Sequence, residues 1–267
     1  MLRNTFLRTL YEQWRGIIWW SVGLISYCLV MALFYPSIRS ARVALEQYMQ
    51  AMPEGFRAAF MGEIADISSP EGYLTAEIFS FMMPIMVLVY AIGVGSNAIA
   101  GEEERGTLDL LLANPIGRAR IVLEKGAALL VSTTALMFFL FIGLVLGAGA
   151  GDMHIGWWPL ARGALALGLL AIAFGYLALG IGAATGSKGL ARSVSAIVAT
   201  GAYVLNAFAP TVQQLQPYQR LSLFYYYIGK NPLVQGIDPL HAGVLLLCAA
   251  LCLVAGLAAF ERRDLAV

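Results

Sequence analysis

Six apolar runs decide what this chain can fold into: residues 17–35, 78–100, 126–148, 164–184, 194–210 and 243–260. In hydrocarbon a backbone N–H or C=O finds no water, so a spanning segment must satisfy its polar groups internally. About 20 residues rising 1.5 Å each cross the ~30 Å core as a helix. Trp19 and Trp20 at one end of the first run, and Phe34 and Tyr35 at the other, suit the two aromatic belts of a bilayer. The same run is too long for a cleaved signal sequence and lacks its small-residue cleavage site. Pro84 interrupts the second run and predicts a kink. Charge agrees with this reading. Only 12% of the 267 residues are charged, about half of the roughly 25% in a soluble domain. Water cannot coat such a surface, and lipid must replace it. The chain therefore reads as an all-α polytopic membrane protein with six transmembrane helices.

Composition also removes several classes. The 17 basic and 16 acidic residues nearly cancel, which leaves no electrostatic case for nucleic acid as a partner. Cys28, Cys248 and Cys252 all lie in apolar runs and read as small buried thiols rather than a disulfide framework. His154 and His241 are too few and too far apart to suggest a metal site.

The basic residues set the orientation. With the N-terminus inside, the inner segments hold eleven of the 17, among them Arg3, Arg8, Arg15, Arg105, Arg118, Arg120 and Lys125; the outer loops hold six. The positive-inside rule then puts both termini in the cytoplasm, consistent with an even number of crossings of the cell membrane. Before the first span, Leu2, Phe6, Leu10 and Trp14 recur every fourth residue among charged neighbours. That spacing predicts an amphipathic interfacial helix over residues 1–15. The outer segment 36–77 is mildly acidic, allows a short helix around Val43 to Met49, and is too small to fold alone. The outer segment 211–240 concentrates Leu221, Leu223, Phe224, Tyr225, Tyr226, Tyr227 and Ile228, a density that suits a half-helix re-entering the outer interface.

The most informative stretch is the cytoplasmic hinge between the second and third spans, residues 102–120. Glu102, Glu103 and Glu104 precede Thr107, a helix-capping residue, and acids there suit the positive end of a helix dipole. Leu108, Leu111 and Leu112 then share one helical face, and Pro115 ends the turn. A short amphipathic helix of this kind can dock in a groove of a partner. It can equally be a connecting loop with its leucines resting on lipid.

The hinge resembles the signature of the ABC-2 type permease family, the membrane subunits of bacterial ATP-binding-cassette exporters. The family pattern, roughly E-x-E-x-G-T, leucines, then Pro, is matched by Glu102, Glu104, Gly106, Thr107, Leu111 and Pro115, with Arg118 and Lys125 in family-like positions. Many members carry Arg between the two glutamates, where this chain has Glu103. The resemblance implies that 102–120 holds a coupling helix seated in a cleft of a separate ATPase subunit, with Glu102, Glu104, Gly106, Thr107, Leu108, Leu111, Leu112, Pro115 and Arg118 contributing. It implies that ATP and Mg are bound by that partner, with no cofactor in this chain. It also implies a working unit of two permease copies, or paralogues, and two ATPase subunits in the plasma membrane.

Motifs for other activities fail. The closest string to a phosphate-binding loop, Gly182 to Lys188, has the wrong spacing and no Gly-Lys pair. The G-x-G-x-x-A string Gly93 to Ala98 lies inside a span without βαβ context. It reads as helix packing, as do Gly143, Gly147 and Gly151, and Ala171 with Gly175, where small residues four apart let helices approach. An intramembrane protease would need its glutamates and histidines together, yet the hinge acids and both histidines fall on opposite sides of the bilayer. No acidic residue lies in the core of a span, which argues against a cation channel or proton pump. Asn97 and Asn206 are the most polar intramembrane side chains, and a transport path and interhelical hydrogen bonding explain them equally. The expected function is export of a hydrophobic or amphiphilic substrate. A permease for ion extrusion or metal-site assembly, and a non-transporting membrane scaffold, are the alternatives.

Overall fold

The computed structural model of the chain describes residues 5–41, 69–108 and 117–263, and among these there is no β-strand. Helix α1 runs from Thr5 to Ser40. A short helix α2 (Pro70–Leu74) passes into a π-helical turn (Thr75–Phe79) and then into α3 (Met82–Ala98). After α4 (Ala100–Glu104) come α5 (Arg118–Ala150), α6 (Trp157–Thr185) and α7 (Lys188–Phe208). The short α8 (Leu223–Ile228) precedes α9 (Pro239–Arg262). Five helices (α1, α5, α6, α7 and α9) are long and apolar enough to cross a membrane; α2 with its π-helical turn and α3, bent by 43°, form a sixth candidate. The all-α polytopic class read from the sequence is the class of the structure.

Two expectations change. Of the expected interfacial helix 1–15, residues 5–15 form the first turns of α1, continuous with the first span, and residues 1–4 lie outside the described residues. No proline interrupts the junction, and Arg8 pairs with Glu12 one turn on at 2.8 Å. The first turn is also pinned to α5, where the Phe6 N–H donates to Glu124 Oε2 at 3.2 Å. With 36 residues, α1 is about 54 Å long and projects beyond a ~30 Å hydrocarbon layer. The break in the second span likewise falls at Ser80–Phe81 rather than at Pro84, which occupies the third position of α3. There its missing N–H has no intrahelical partner to lose. The helix expected around Val43 to Met49 lies outside the described residues.

Helix α6 is the hub of the bundle. In its most apolar 18-residue window 72% of residues are buried, against 17% in α7 and 22% in both α1 and α9. Small residues allow the close packing. A Cβ on Gly95 of α3 would fall 2.1 Å from the Gly175 carbonyl oxygen of α6, and Gly143 and Gly147 of α5, with Gly151 just past its end, lie against Ile25, Cys28 and Ala32 of α1. The aromatic segment before α9 is wedged into the protein. Phe224 and Tyr227 of α8 are buried, and the Tyr227 hydroxyl donates to the Phe79 carbonyl at 3.0 Å. The Ser222 hydroxyl accepts from the Phe224 N–H at 3.1 Å and donates to the Ala202 carbonyl of α7 at 2.6 Å, fastening the far end of that helix.

Candidate functional site

At one end of the bundle the chain turns from α3 through α4 toward α5, and the acidic hinge closes on itself. The Glu102 and Glu103 N–H groups both donate to the Ile99 carbonyl, at 3.0 and 3.1 Å, and the Thr107 N–H donates back to the Glu102 carbonyl at 2.9 Å. Gly106 makes this reversal with φ +67°, a conformation that disfavours residues with a Cβ. The Thr107 hydroxyl bonds both the Glu102 carbonyl and its carboxylate.

Glu102 itself points inward. Its Oε1 lies 2.9 Å from Lys125 Nζ of α5, with both side chains buried, and 3.7 Å from the half-exposed Arg105 guanidinium. Burial works to raise the Glu102 pKa, but the hydrogen bonds from Thr107 and Lys125 and the charges of Lys125 and Arg105 outweigh it. The result lies below the ordinary glutamate value. A buried carboxylate–ammonium pair gives little net stability, yet it costs several kcal/mol to break one-sidedly. It therefore fixes the angle at which the hinge leaves the bundle.

The neighbouring charges tie the hinge to other helices. Glu103 pairs with Arg263 just past the end of α9, and Arg263 also donates to the Ala183 carbonyl of α6 at 3.0 Å. Gly186 has φ +69°, which disfavours a side chain, and a Cβ there would press on the Arg263 guanidinium at 2.3 Å and the Glu103 carboxylate at 2.7 Å. Glu103 thus has an internal basic partner. Glu104, exposed, accepts from the Lys188 N–H at the start of α7 at 2.9 Å. Arg118 donates to the carbonyls of Phe260 at 3.3 Å and Arg263 at 2.6 Å, capping the C-terminal end of α9.

Several sequence-derived site residues are therefore engaged within the chain. Glu102 and Arg118 bind neighbouring helices. Leu108 is buried in a cluster with Ala98, Ile99, Val122, Leu179, Ala183 and Phe260, so it anchors the hinge instead of offering an apolar face. Glu104, Arg105 and Gly106 are exposed and Thr107 is half-buried. Leu111, Leu112 and Pro115 lie outside the described residues. Sequence reasoning missed Arg263 and the α7 backbone as hinge partners, and it noted Lys125 only for its position. The one available signal was a lone lysine at the edge of an apolar run.

A cavity of about 910 Å³ opens between α1, α3 and α7. Its walls are mostly apolar, including Trp20, Leu88, Ile92, Ala199 and Tyr203, and Glu12, Gln13 and Arg192 line it toward the hinge end. Gln13 Oε1 is buried there without a hydrogen-bond partner. The residues lining the cavity do not include Asn97 or Asn206, the two candidate path residues. Asn97 instead packs on Gly101, where a Cβ would meet its Oδ1 at 2.2 Å. Asn206 Oδ1 is buried and unpaired in α7. Among the described residues no group of three or more His, Cys, Asp or Glu side chains is placed to hold a metal.

Comparison with known proteins fits this geometry. The chain is similar to probable ABC transporter permease proteins NosY, being 32% identical over 146 residues to that of Stutzerimonas stutzeri and 37% identical over 87 residues to that of Pseudomonas aeruginosa. These matches cover 51% and 32% of this chain, and 51% and 30% of the respective relatives, so the chain spans about half the length, or less, of the curated relatives it matches. Residues 10–265 match the family model described as ABC-2 family transporter protein. The match takes in the hinge, the cavity and all six candidate spans, and the chain belongs to the ABC-2 transporter family as a multi-pass membrane permease.

Proposed function

We propose that this chain is the permease subunit of an ATP-binding-cassette exporter in the plasma membrane, with both termini and the hinge in the cytoplasm. A separate ATPase subunit docks on residues 102–120, and a second permease copy or paralogue faces the first across the translocation path. The buried Glu102–Lys125 pair carries this reading. A connecting loop has no need of a buried ion pair at its root, whereas a surface that receives force must be held at a fixed angle. The eleven basic residues assigned to the inner segments support the orientation. The apolar cavity between α1, α3 and α7, with its few polar groups at the hinge end, supports a hydrophobic or amphiphilic substrate.

Co-expression with an ABC ATPase subunit and purification through a tag on the permease tests the proposal. The pair is expected to co-purify, and replacing Leu111 and Leu112 with Asp is expected to release the ATPase while leaving the permease in the membrane. Undiminished ATPase binding in that variant would count against the docking role of the hinge.

A further inference from the structure

We infer that Glu104 is a positioning residue that links the hinge to α7, delivering hinge displacement to the helix that forms one wall of the cavity. The inference rests on the proposed function and assigns a route to it. Its first support is the contact itself: Glu104 accepts from the Lys188 backbone N–H at 2.9 Å. The first N–H groups of a helix have no intrahelical acceptor, and a carboxylate there is favoured by both the hydrogen bond and the helix dipole.

The second support is how lightly α7 is otherwise held. Only Ala191, Ser195 and Ala199 are buried along its length. Its far end is fastened through Ser222 to the Ala202 carbonyl, and its near end follows α6 after only Gly186 and Ser187, Gly186 having φ +69°. The third is the contrast with the other attachments. Glu102 binds α5 and Glu103 binds Arg263, which also holds α6; those helices are packed together through the hub. Arg192, Ala196, Thr200 and Tyr203 of α7 line the cavity. From Lys188 to Tyr203 the helix extends about 22 Å, so a small shift at Glu104 changes the width of the cavity along its whole side.

The test uses the permease co-purified with its ATPase, with Cys28, Cys248 and Cys252 replaced by Ser. Spin labels sit at Tyr11→Cys on α1 and Ile197→Cys on α7, both well exposed. ATP with vanadate is expected to shift the label separation by about 2 Å or more. Glu104→Ala is expected to abolish the shift, read on the complexes that retain the ATPase. Glu104→Gln, which keeps an acceptor oxygen, is expected to retain it, and so is Lys188→Ala, because the donor is the backbone N–H. A Glu104→Ala complex that shifts like the wild type would overturn the inference alone. Loss of the ATPase from that complex would also overturn it, by assigning Glu104 to the docking face. A wild-type complex that binds the ATPase yet shows no shift would refute the exporter reading itself, and the inference with it.

Discussion

Lys125 Nζ lies 2.9 Å from Glu102 Oε1, and neither side chain is more than 5% exposed. Removing one partner strands the other charge away from water, a loss of about 3–5 kcal/mol. Glu102→Ala is therefore expected to lower the thermal stability of the detergent-solubilised permease by that order. The double variant Glu102→Leu with Lys125→Met, which removes both charges, is expected to recover more than half of the loss. A single variant as stable as the wild type in the same unfolding assay would show that the pair does not hold the hinge.

The two glycines of the Gly93–Ala98 string separate cleanly. Gly95 abuts the Gly175 backbone, whereas a Cβ on Gly93 meets nothing within 4 Å. Gly95→Ala is expected to destabilise by about 1–3 kcal/mol through overpacking. Gly93→Ala is expected to be neutral, or to stabilise by up to about 1 kcal/mol through helix propensity. Equal melting temperatures for the two variants would contradict the α3–α6 contact.

The spans and the hinge were legible in the sequence because each follows from a local rule. Hydrocarbon forces long apolar runs into helices, and a cluster of Glu, Thr, Gly and Pro punctuates the chain wherever it lies. What the hinge residues touch was not legible. Glu102 and Lys125 are 23 residues apart and Glu103 and Arg263 are 160 apart, and only the packing of α5 and α9 brings them together. The continuity of α1 is not legible because the charged residues among Leu2, Phe6, Leu10 and Trp14 set that stretch apart from the apolar run that follows, while the contact that steadies its first turn comes from Glu124 in another helix. Pro84 looked like a kink because its sequence position does not reveal that α3 begins only two residues before it.

At the opposite end from the hinge, Asp238 caps α9 through the Leu240 and His241 N–H groups, at 2.7 and 3.3 Å, and pairs with Lys230. The Lys230 ammonium and then the Leu240 N–H bring its pKa down to about 2 from the ordinary 3.8. A depressed carboxyl stabilises the folded state fully above its unfolded value and loses that contribution as pH falls through the folded one. Protection of the amides in the first turn of α9, taken relative to their intrinsic exchange rates at each pH, is thus expected to hold down to about pH 3.8 and to fall as the pH drops toward about 2. In Asp238→Asn the step should vanish. A wild-type step near or above pH 3.8 would show that the Lys230 pairing does not form.

Arg105, with about half of its side chain exposed, marks the outward face of the hinge, and a photo-crosslinking amino acid placed there in cells that also express the ATPase gives the most direct measurement. The account predicts a covalent adduct between permease and ATPase from position 105, and none from exposed Tyr218 near the far end of α7. An adduct from Tyr218 and none from 105 would place the ATPase at the wrong end of the bundle and contradict the account.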